Sequence, residues 1–356
     1  MNVLSLFDGM SCGQIALNRI GIKYDKYFAS EINKYAIAVT QKNYPNTIQL
    51  GDITKIKASV LPKIDLIIGG SPCQGFSFAG KGLNFNDPRS ALFFEFVRLV
   101  KECEPKYFLL ENVKMKKIYE KIISGFLGVE PIEINSSLLS AQNRKRLYWT
   151  NLEGITQPDD KNITWGDVRE TGVDSEKYYY TGKAMQWLGK QSRSKNKTLS
   201  IHLNNDKMQM IEASHYKKYS SQRFFGIVDL PKNEQVIAAM RGRYLINGKR
   251  QDGKQKTNGL TKQYIEFRYD GKTNALTTVS KDNIVVPFTL PNRILANKFF
   301  FRFITPVECE RLQTVPDNYT SSVSDTQRYQ MLGNGWTVDI IAHIFKSLAV
   351  VWEINI

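Results

Sequence analysis

Cysteine and histidine are scarce in this chain: its 356 residues include 4 Cys and 3 His. Cys12, Cys73, Cys103 and Cys309 lie far apart with no Cys-x-x-Cys spacing, and His202, His215 and His343 are equally scattered. A disulfide framework and a zinc or other metal site are both disfavoured, and a reducing cytosol fits best. No apolar run approaches the roughly 20 residues that a membrane span needs. The start, Met1–Phe7, has neither the basic opening nor the long apolar stretch of a secretory signal, and reads as a first strand. Internal repeats and low-complexity tracts are absent. So is the Gly-x-Gly-x-x-Gly fingerprint, which a cofactor without a pyrophosphate does not need.

The chain does have 42% hydrophobic residues, enough for a folded core, in a length that suits one large domain and one small one. Its formal charge is +15, and residues 151–300 hold 25 Lys and Arg against 15 Asp and Glu, so most of the excess lies there. That balance favours a polyanionic partner, with a solvated basic surface as the plain alternative.

Residues 1–158 alternate strand-like runs (Val3–Phe7, Tyr27–Ser30, Leu66–Ile68, Tyr107–Leu110) with helical patterns at Gln14–Ile20 and Ala91–Val100. This predicts an α/β fold, a mostly parallel sheet with helices on both faces. Residues 159–296 are rich in Lys, Asn, Gln, Ser and Tyr, with β-like pieces at Tyr264–Tyr269 and Ala275–Val279. They predict a small, irregular, β-rich domain. Residues 297–356 return to apolar patterning and end in a helix-like run, Ile340–Phe345.

Chemistry-bearing residues cluster where the predicted strands end. Phe7-Asp8-Gly9-Met10-Ser11-Cys12-Gly13 joins a strand to a helix, and its glycines let a ligand approach the backbone. Glu31 ends the second run and suits a pair of ribose hydroxyls. Asp52-Ile53 suits an adenine amino group and ring face. Gly69-Gly70-Ser71-Pro72-Cys73-Gln74 carries a buried strand into a tight turn that ends in a nucleophile candidate, Cys73. Glu111-Asn112-Val113 follows another strand. On an extended chain Gln142, Arg144 and Arg146 share one face, and the two arginines suit an anion or a carbonyl oxygen. Taken singly, a surface carboxylate, a small buried thiol and a basic surface strand are the ordinary explanations of these features.

In this order, Pro-Cys-Gln, Glu-Asn-Val and Gln-x-Arg-x-Arg behind such a first loop resemble the DNA cytosine-C5 methyltransferase family. Glu308-Cys309-Glu310-Arg311-Leu312-Gln313 is similar to the family's ninth motif and Gly333-Asn334-Gly335 to its tenth. The resemblance spans the whole chain, with the variable target-recognition domain falling at residues 159–296. It implies a Rossmann-like fold and a methyl group moved from S-adenosylmethionine to carbon 5 of a flipped-out cytosine in duplex DNA, leaving S-adenosylhomocysteine and needing no metal. It implies a covalent bond from Cys73 to carbon 6. Glu111 would act at N3 and the exocyclic amine, Arg144 and Arg146 at O2 and nearby phosphate, and Asn112 would brace the cysteine turn. The cofactor would contact Phe7, Asp8, Gly9, Cys12, Gly13, Glu31, Ile32, Asp52, Ile53, Gly70, Pro72, Asn334, Gly335 and Trp336.

Gln74 and Ser77 are expected at the DNA. So are Arg241, Arg243 and Tyr244 as base readers, and Lys249, Arg250, Lys254 and Lys256 as phosphate contacts. Double-stranded DNA is the expected partner of a cytoplasmic, prokaryotic or phage-borne monomer, and a cognate restriction endonuclease acting separately is compatible with it. Two motifs depart from the common bacterial pattern: Phe-Asp-Gly-Met-Ser-Cys-Gly stands for Phe-x-Gly-x-Gly-Gly, and Gly335-Trp336-Thr337 closes the tenth. Both are more similar to animal de novo methyltransferases and to phage and prophage members. One rival reading is a tRNA methyltransferase of related build, whose Cys-Phe-Thr element is missing here. Another is a catalytically silent DNA-binding relative, which the intact Cys73, Glu111, Arg144 and Arg146 oppose. An enzyme methylating amino groups would want Pro-Pro-aromatic at Pro72-Cys73-Gln74.

Overall fold

The computed structural model describes residues 1–72, 88–171, 173, 178 and 304–353, together with eight strands between 227 and 302. The main sheet uses β1 (Asn2–Leu6), β2 (Lys26–Ser30), β3 (Ile48–Gln49), β4 (Leu66–Gly69), β5 (Tyr107–Val113) and β6 (Ile132–Asn135). A two-residue strand, β7 (Gln142–Asn143), leads into β8 (Lys145–Thr150), and the sheet order is β3-β2-β1-β4-β5-β8-β6. Strands β1 to β5 are parallel, and β8 inserts antiparallel between β5 and β6.

Successive residues of a strand face opposite ways, and here both faces are buried. Along β4, Leu66 and Ile68 enter one core cluster and Ile67 the other, and along β5 Tyr107 and Leu109 part from Phe108 and Leu110 in the same manner. Two apolar faces must both be covered. Helix α1 (Cys12–Arg19) and α2 (Lys34–Asn43) cover the first, and α3 (Pro88–Cys103) and α4 (Lys117–Leu127) the second.

The first face is completed by α5 (Trp165–Val168), α6 (Pro306–Leu312), α7 (Asp325–Asn334) and α8 (Val338–Glu353). Ile340, Ile341 and Phe345 of α8 join the cluster of Ile15, Ala16 and Leu17 of α1. The end of the chain thus finishes the unit that its beginning starts. Gly13 lets α1 approach closely, since a β-carbon there would stand 2.3 Å from Ile68 Cδ1 and 2.7 Å from Tyr27 Oη.

In the middle region, a three-stranded antiparallel sheet joins β10 (Gln235–Arg243) at its centre to β13 (Lys262–Phe267) and β15 (Ile284–Pro287). Short pairs are formed by β9 (Ile227–Val228) with β16 (Phe301–Arg302) and by β11 (Leu245–Ile246) with β12 (Lys249–Arg250). Strand β14 (Thr273–Asn274) runs parallel to β7, forming a separate two-stranded pair next to the start of β8. Ala275–Val279 lies outside the described residues.

The chain builds β1, β2 and β3 outward, then crosses back to start β4 on the other side of β1. Doubly wound sheets bind ligands at the carboxyl ends of strands at such a reversal. Here those ends belong to the first loop and to the Gly-Gly-Ser-Pro turn.

Candidate active site

Beyond β1 the backbone is tightly coiled: Phe7, Gly9 and Ser11 have φ of 58°, 59° and 64°. Phe and Ser adopt this region only when neighbours enforce it. Two bonds do so. Asp8 N–H donates to Ser30 O at 3.0 Å, and Gly9 N–H to Glu31 Oε2 at 2.8 Å. The Glu31 carboxylate also accepts from Ile32 N at 2.8 Å and Asn33 N at 2.7 Å. It is thereby fixed at the end of β2 with acceptor positions left over. Ile32 beside it is 78% exposed. A fixed carboxylate next to an open apolar surface fits a ribose with its attached base.

Asp8 accepts from Tyr27 Oη at 3.0 Å and Ser11 Oγ at 3.2 Å, while its Oδ2 is enclosed without a partner. Burial pushes this carboxyl up to about 6, against the hydrogen bonds from Ser5, Ser11 and Tyr27 and with help from Glu31. Cys12 opens α1, and burial pushes its thiol up to about 12, leaving it un-ionised at neutral pH. Asp52, beyond β3, accepts from Thr54 N and Oγ1, while Ile53 is buried in the second core cluster.

The sequence places Glu111 just past a strand, whereas the structure places it within β5. The cause is β8, which runs the opposite way and continues the ladder beyond the end of β4, pairing Glu111 with Tyr148, Asn112 with Leu147 and Val113 with Arg146. Glu111 and Arg146 are therefore diagonal neighbours on one face. Arg146 Nε lies 2.9 Å from Glu111 Oε1, with both side chains nearly buried. Asn112 points to the opposite face, where its Nδ2 donates to Ser71 O at 3.3 Å and Ser71 Oγ at 3.2 Å. That bond holds the turn two residues before Cys73.

Arg144 is buried, and the carbonyl that suits its guanidinium is the protein's own. Nη1 donates to Gly333 O at 3.2 Å and Nη2 to Gly335 O at 2.9 Å. Burial and Arg146 pull it down to about 9, against Glu111, so it stays cationic at neutral pH. The next residue, Trp336, leans on Gly70. A β-carbon on Gly70 would stand 2.9 Å from Trp336 Nε1 and 3.2 Å from Glu111 Oε2. The first loop joins this wall where Cys12 Sγ meets Trp336 O at 3.8 Å. Asn334 is exposed and Pro72 half-buried.

The sequence reading missed a buried polar hub at Gln313. Its Nε2 donates to Leu332 O at 2.6 Å, and its Oε1 accepts from Gln142 Nε2 at 3.1 Å and Thr337 Oγ1 at 2.9 Å. Glu310, fully buried, pairs with Arg328 at 3.0 Å. The partners are too distant in sequence for any local pattern to reveal.

The structure thus brings Gly70, Glu111, Asn112, Arg144, Arg146 and Trp336 together, with the first loop and Glu31 alongside. Cys73, Gln74, Ser77, Tyr244, Lys254 and Lys256 lie outside the described residues. Arg241 and Arg243 lie in β10, and Lys249 and Arg250 form β12. Among the described residues, no group of three or more His, Cys, Asp or Glu could hold a metal ion, and no helix is long and apolar enough to cross a membrane.

Residues 1–349 match the family of C-5 cytosine-specific DNA methylases. The chain is 31% identical to the type II methyltransferase M1.ScrFI of Lactococcus lactis subsp. cremoris, across 99% of this chain and 78% of that protein. It is 27% identical to the orphan methyltransferase M.SPRI of Bacillus phage SPR, across 98% and 97%. Among solved structures it resembles the Entamoeba histolytica methyltransferase EhMeth, with a TM-score of 0.64 at 17% identity over 98% of both chains. The likeness to S. pombe Dnmt2 has a TM-score of 0.61 at 16% identity over 99% of both. At such identities these two likenesses bear on the fold.

Proposed function

The chain belongs to the C-5 cytosine-specific DNA methylase family, and from that premise we propose that it methylates a flipped-out cytosine through a covalent bond to Cys73. It is an S-adenosylmethionine-dependent DNA cytosine-C5 methyltransferase. The observation that carries the finer mechanism is the Glu111–Arg146 pair set against Gly70, beside a turn that Asn112 holds just before Cys73.

Carbon 5 of cytosine is a weak nucleophile until the ring is saturated at carbon 6. The Cys73 thiolate adds there. Glu111 hydrogen-bonds N3 and the exocyclic amine, passing a proton to N3 as the thiolate adds and taking it back as the bond to Cys73 breaks, and Arg146 orients Glu111 and faces O2. When bound, S-adenosylmethionine supplies an electrophilic methyl group to carbon 5 and departs as S-adenosylhomocysteine. A base, water included, removes the C5 proton, and the bond to Cys73 breaks to regenerate the thiolate. The reacting ring cannot be reached within a stack, so the base is flipped out at a cost of a few kcal/mol. Pocket contacts and phosphate neutralisation by the basic middle region offset that cost.

On this reading residues 1–158 and 297–356 form the catalytic domain and residues 159–296 the target-recognition domain. The packing of α8 on α1 and the basic excess between 151 and 300 support it. Glu31, Ile32, Asp52 and Trp336 would hold the nucleoside half of the cofactor, and the first loop its amino-acid tail. A restriction endonuclease, if one accompanies this enzyme, acts separately.

The test uses duplex DNA carrying 5-fluorocytosine at the methylated position, which bisulfite sequencing of co-expressed DNA would map. Wild type with S-adenosylmethionine should form a complex that survives denaturation, and Cys73→Ser should form none while still binding DNA. Normal turnover by Cys73→Ser would overturn the covalent mechanism.

A further inference from the structure

Helix α7 (Asp325–Asn334) buries Leu332 and Gly333 of its last turn, whose carbonyls have no partners within the helix. Gly335 N–H donates to Met331 O at 2.8 Å. Leu332 O accepts from Gln313 Nε2, Gly333 O from Arg144 Nη1, and Gly335 O from both Arg144 Nη2 and Gln313 Nε2. Arg144 thus caps this helix from the link between β7 and β8, almost two hundred residues away, its cation at the negative end of the helix dipole. The guanidinium fork spans Asn334 and fixes the carbonyls on either side of it. The next residue is Trp336, whose indole stands against Gly70 next to the Glu111 carboxylate.

Arg146, two residues further on and within β8, is arranged differently. Its Nε pairs with Glu111, and its side chain is 12% exposed, whereas Arg144 as a residue is 3% exposed. Turning Arg144 outward would strip the buried Gly333 O of its guanidinium donor and leave Gly335 O to Gln313 Nε2, a substantial cost.

We propose that Arg144 is a positioning residue. It locks the Gly333–Trp336 turn onto the link that leads into β8, and so sets the cofactor wall relative to the Glu111–Arg146 pair without touching cytosine or DNA. The inference rests on the proposed methyltransferase function and divides labour between the two arginines. Gln142 reinforces the lock, since its Nε2 donates to Leu312 O at 3.0 Å and to Gln313 Oε1 at 3.1 Å.

The experiment titrates S-adenosylhomocysteine, without DNA, into the full-length wild type, Arg144→Gln, Arg144→Lys and Arg146→Lys. It is paired with steady-state kinetics against each substrate. Arg144→Gln should weaken S-adenosylhomocysteine by about 10- to 100-fold, the loss of charge-assisted bonds. Arg144→Lys should recover part of that. KM for S-adenosylmethionine should rise in step while KM for DNA holds. Arg146→Lys should lower kcat and leave cofactor affinity alone. If Arg144→Lys and Arg144→Gln bind S-adenosylhomocysteine like wild type yet lose kcat or DNA affinity, Arg144 touches substrate and the proposal fails.

Should Arg144→Gln not fold, Arg144→Lys combined with Trp336→Phe decides. Non-additive losses of cofactor affinity support the coupling, and additive ones overturn it. A wild type that bound no S-adenosylhomocysteine would instead overturn the function on which the inference stands.

Discussion

Arg146 grips Glu111 diagonally across two antiparallel strands, Nε to Oε1 at 2.9 Å, so the carboxylate proposed to act on the base is held by its neighbour in the sheet and not by a loop. A carboxylate oriented this way keeps its other oxygen free to turn towards a base, next to Gly70. Glu111→Gln preserves shape and removes the charge. It should lower kcat by about 10²- to 10⁴-fold, the span ordinary for a lost proton-handling group. Affinity for S-adenosylhomocysteine should be unchanged. Single-turnover methylation of a radiolabelled duplex reads this directly, and a variant within threefold of wild type would remove Glu111 from the chemistry.

Gly70 makes a second prediction because it leaves no room. A methyl group there would stand 2.9 Å from Trp336 Nε1 and 3.2 Å from Glu111 Oε2. Gly70→Ala should push the indole and the carboxylate apart at a cost of about 1–3 kcal/mol, typical of overpacking. The loss should appear in cofactor affinity and kcat together. Replacing Trp336 with the smaller Leu in the same chain should restore part of the kcat lost to Gly70→Ala. No loss in Gly70→Ala would mean that this wall yields easily.

Much of this arrangement is legible in sequence, and the reason is local. Strands β1, β2 and β4 and helices α1 and α3 announce themselves by apolar period, and the motifs sit at strand ends, where the fold must place them. Glu111 is the instructive exception. Its run of apolar residues stops at Leu110, so the sequence ends the strand there, but pairing with β8 carries β5 on to Val113. Arg144 is the other. Its residue type predicts a carbonyl partner, yet only the folded chain shows that the carbonyls belong to Gly333 and Gly335. The same holds for the Gln313 hub, whose bond to Gln142 joins residues far apart in the chain.

Asp8 gives a prediction in pH. Its carboxyl titrates at about 6 in the fold against an ordinary 3.8, so the folded chain holds the proton more tightly than the unfolded one. Its contribution to stability is therefore largest below about pH 4, falls as pH rises to about 6, and stays low above that. The change is at most about 3 kcal/mol, and less in proportion to solvent contact, because the residue as a whole is half-buried although Oδ2 is enclosed. Asp8→Asn should flatten this part of the profile. The measurement is unfolding free energy of the cofactor-free protein at pH 4.5, 5.5 and 7.5 in both forms. Equal pH slopes in wild type and variant would refute the assignment.

Target choice belongs, on the proposed reading, to residues 159–296, and two sets of basic residues there predict opposite behaviour. Arg241 and Arg243 lie two apart in β10, the central strand of its sheet, opposite Tyr264 and Lys262 of β13, with Gly242 between them. Along Arg241–Arg243 the strand is held by β13, with β15 pairing it further back at Gln235–Ala238, which gives a platform for reading base edges, and arginine binds guanine in a bidentate way worth roughly 1–3 kcal/mol of discrimination. Lys254 and Lys256 belong to a glycine-punctuated run, Gly248 to Gly259, whose composition suits phosphate. Arg241→Ala or Arg243→Ala should relax preference at one position of the mapped site. Lys254→Ala should weaken binding evenly across sequences and shallow the salt dependence by about one unit of slope. Both are read from affinity for single-base variants of the site at several salt concentrations. If the arginine variants lose affinity evenly and keep their discrimination, β10 serves the phosphate backbone, and base reading falls to other residues of this region.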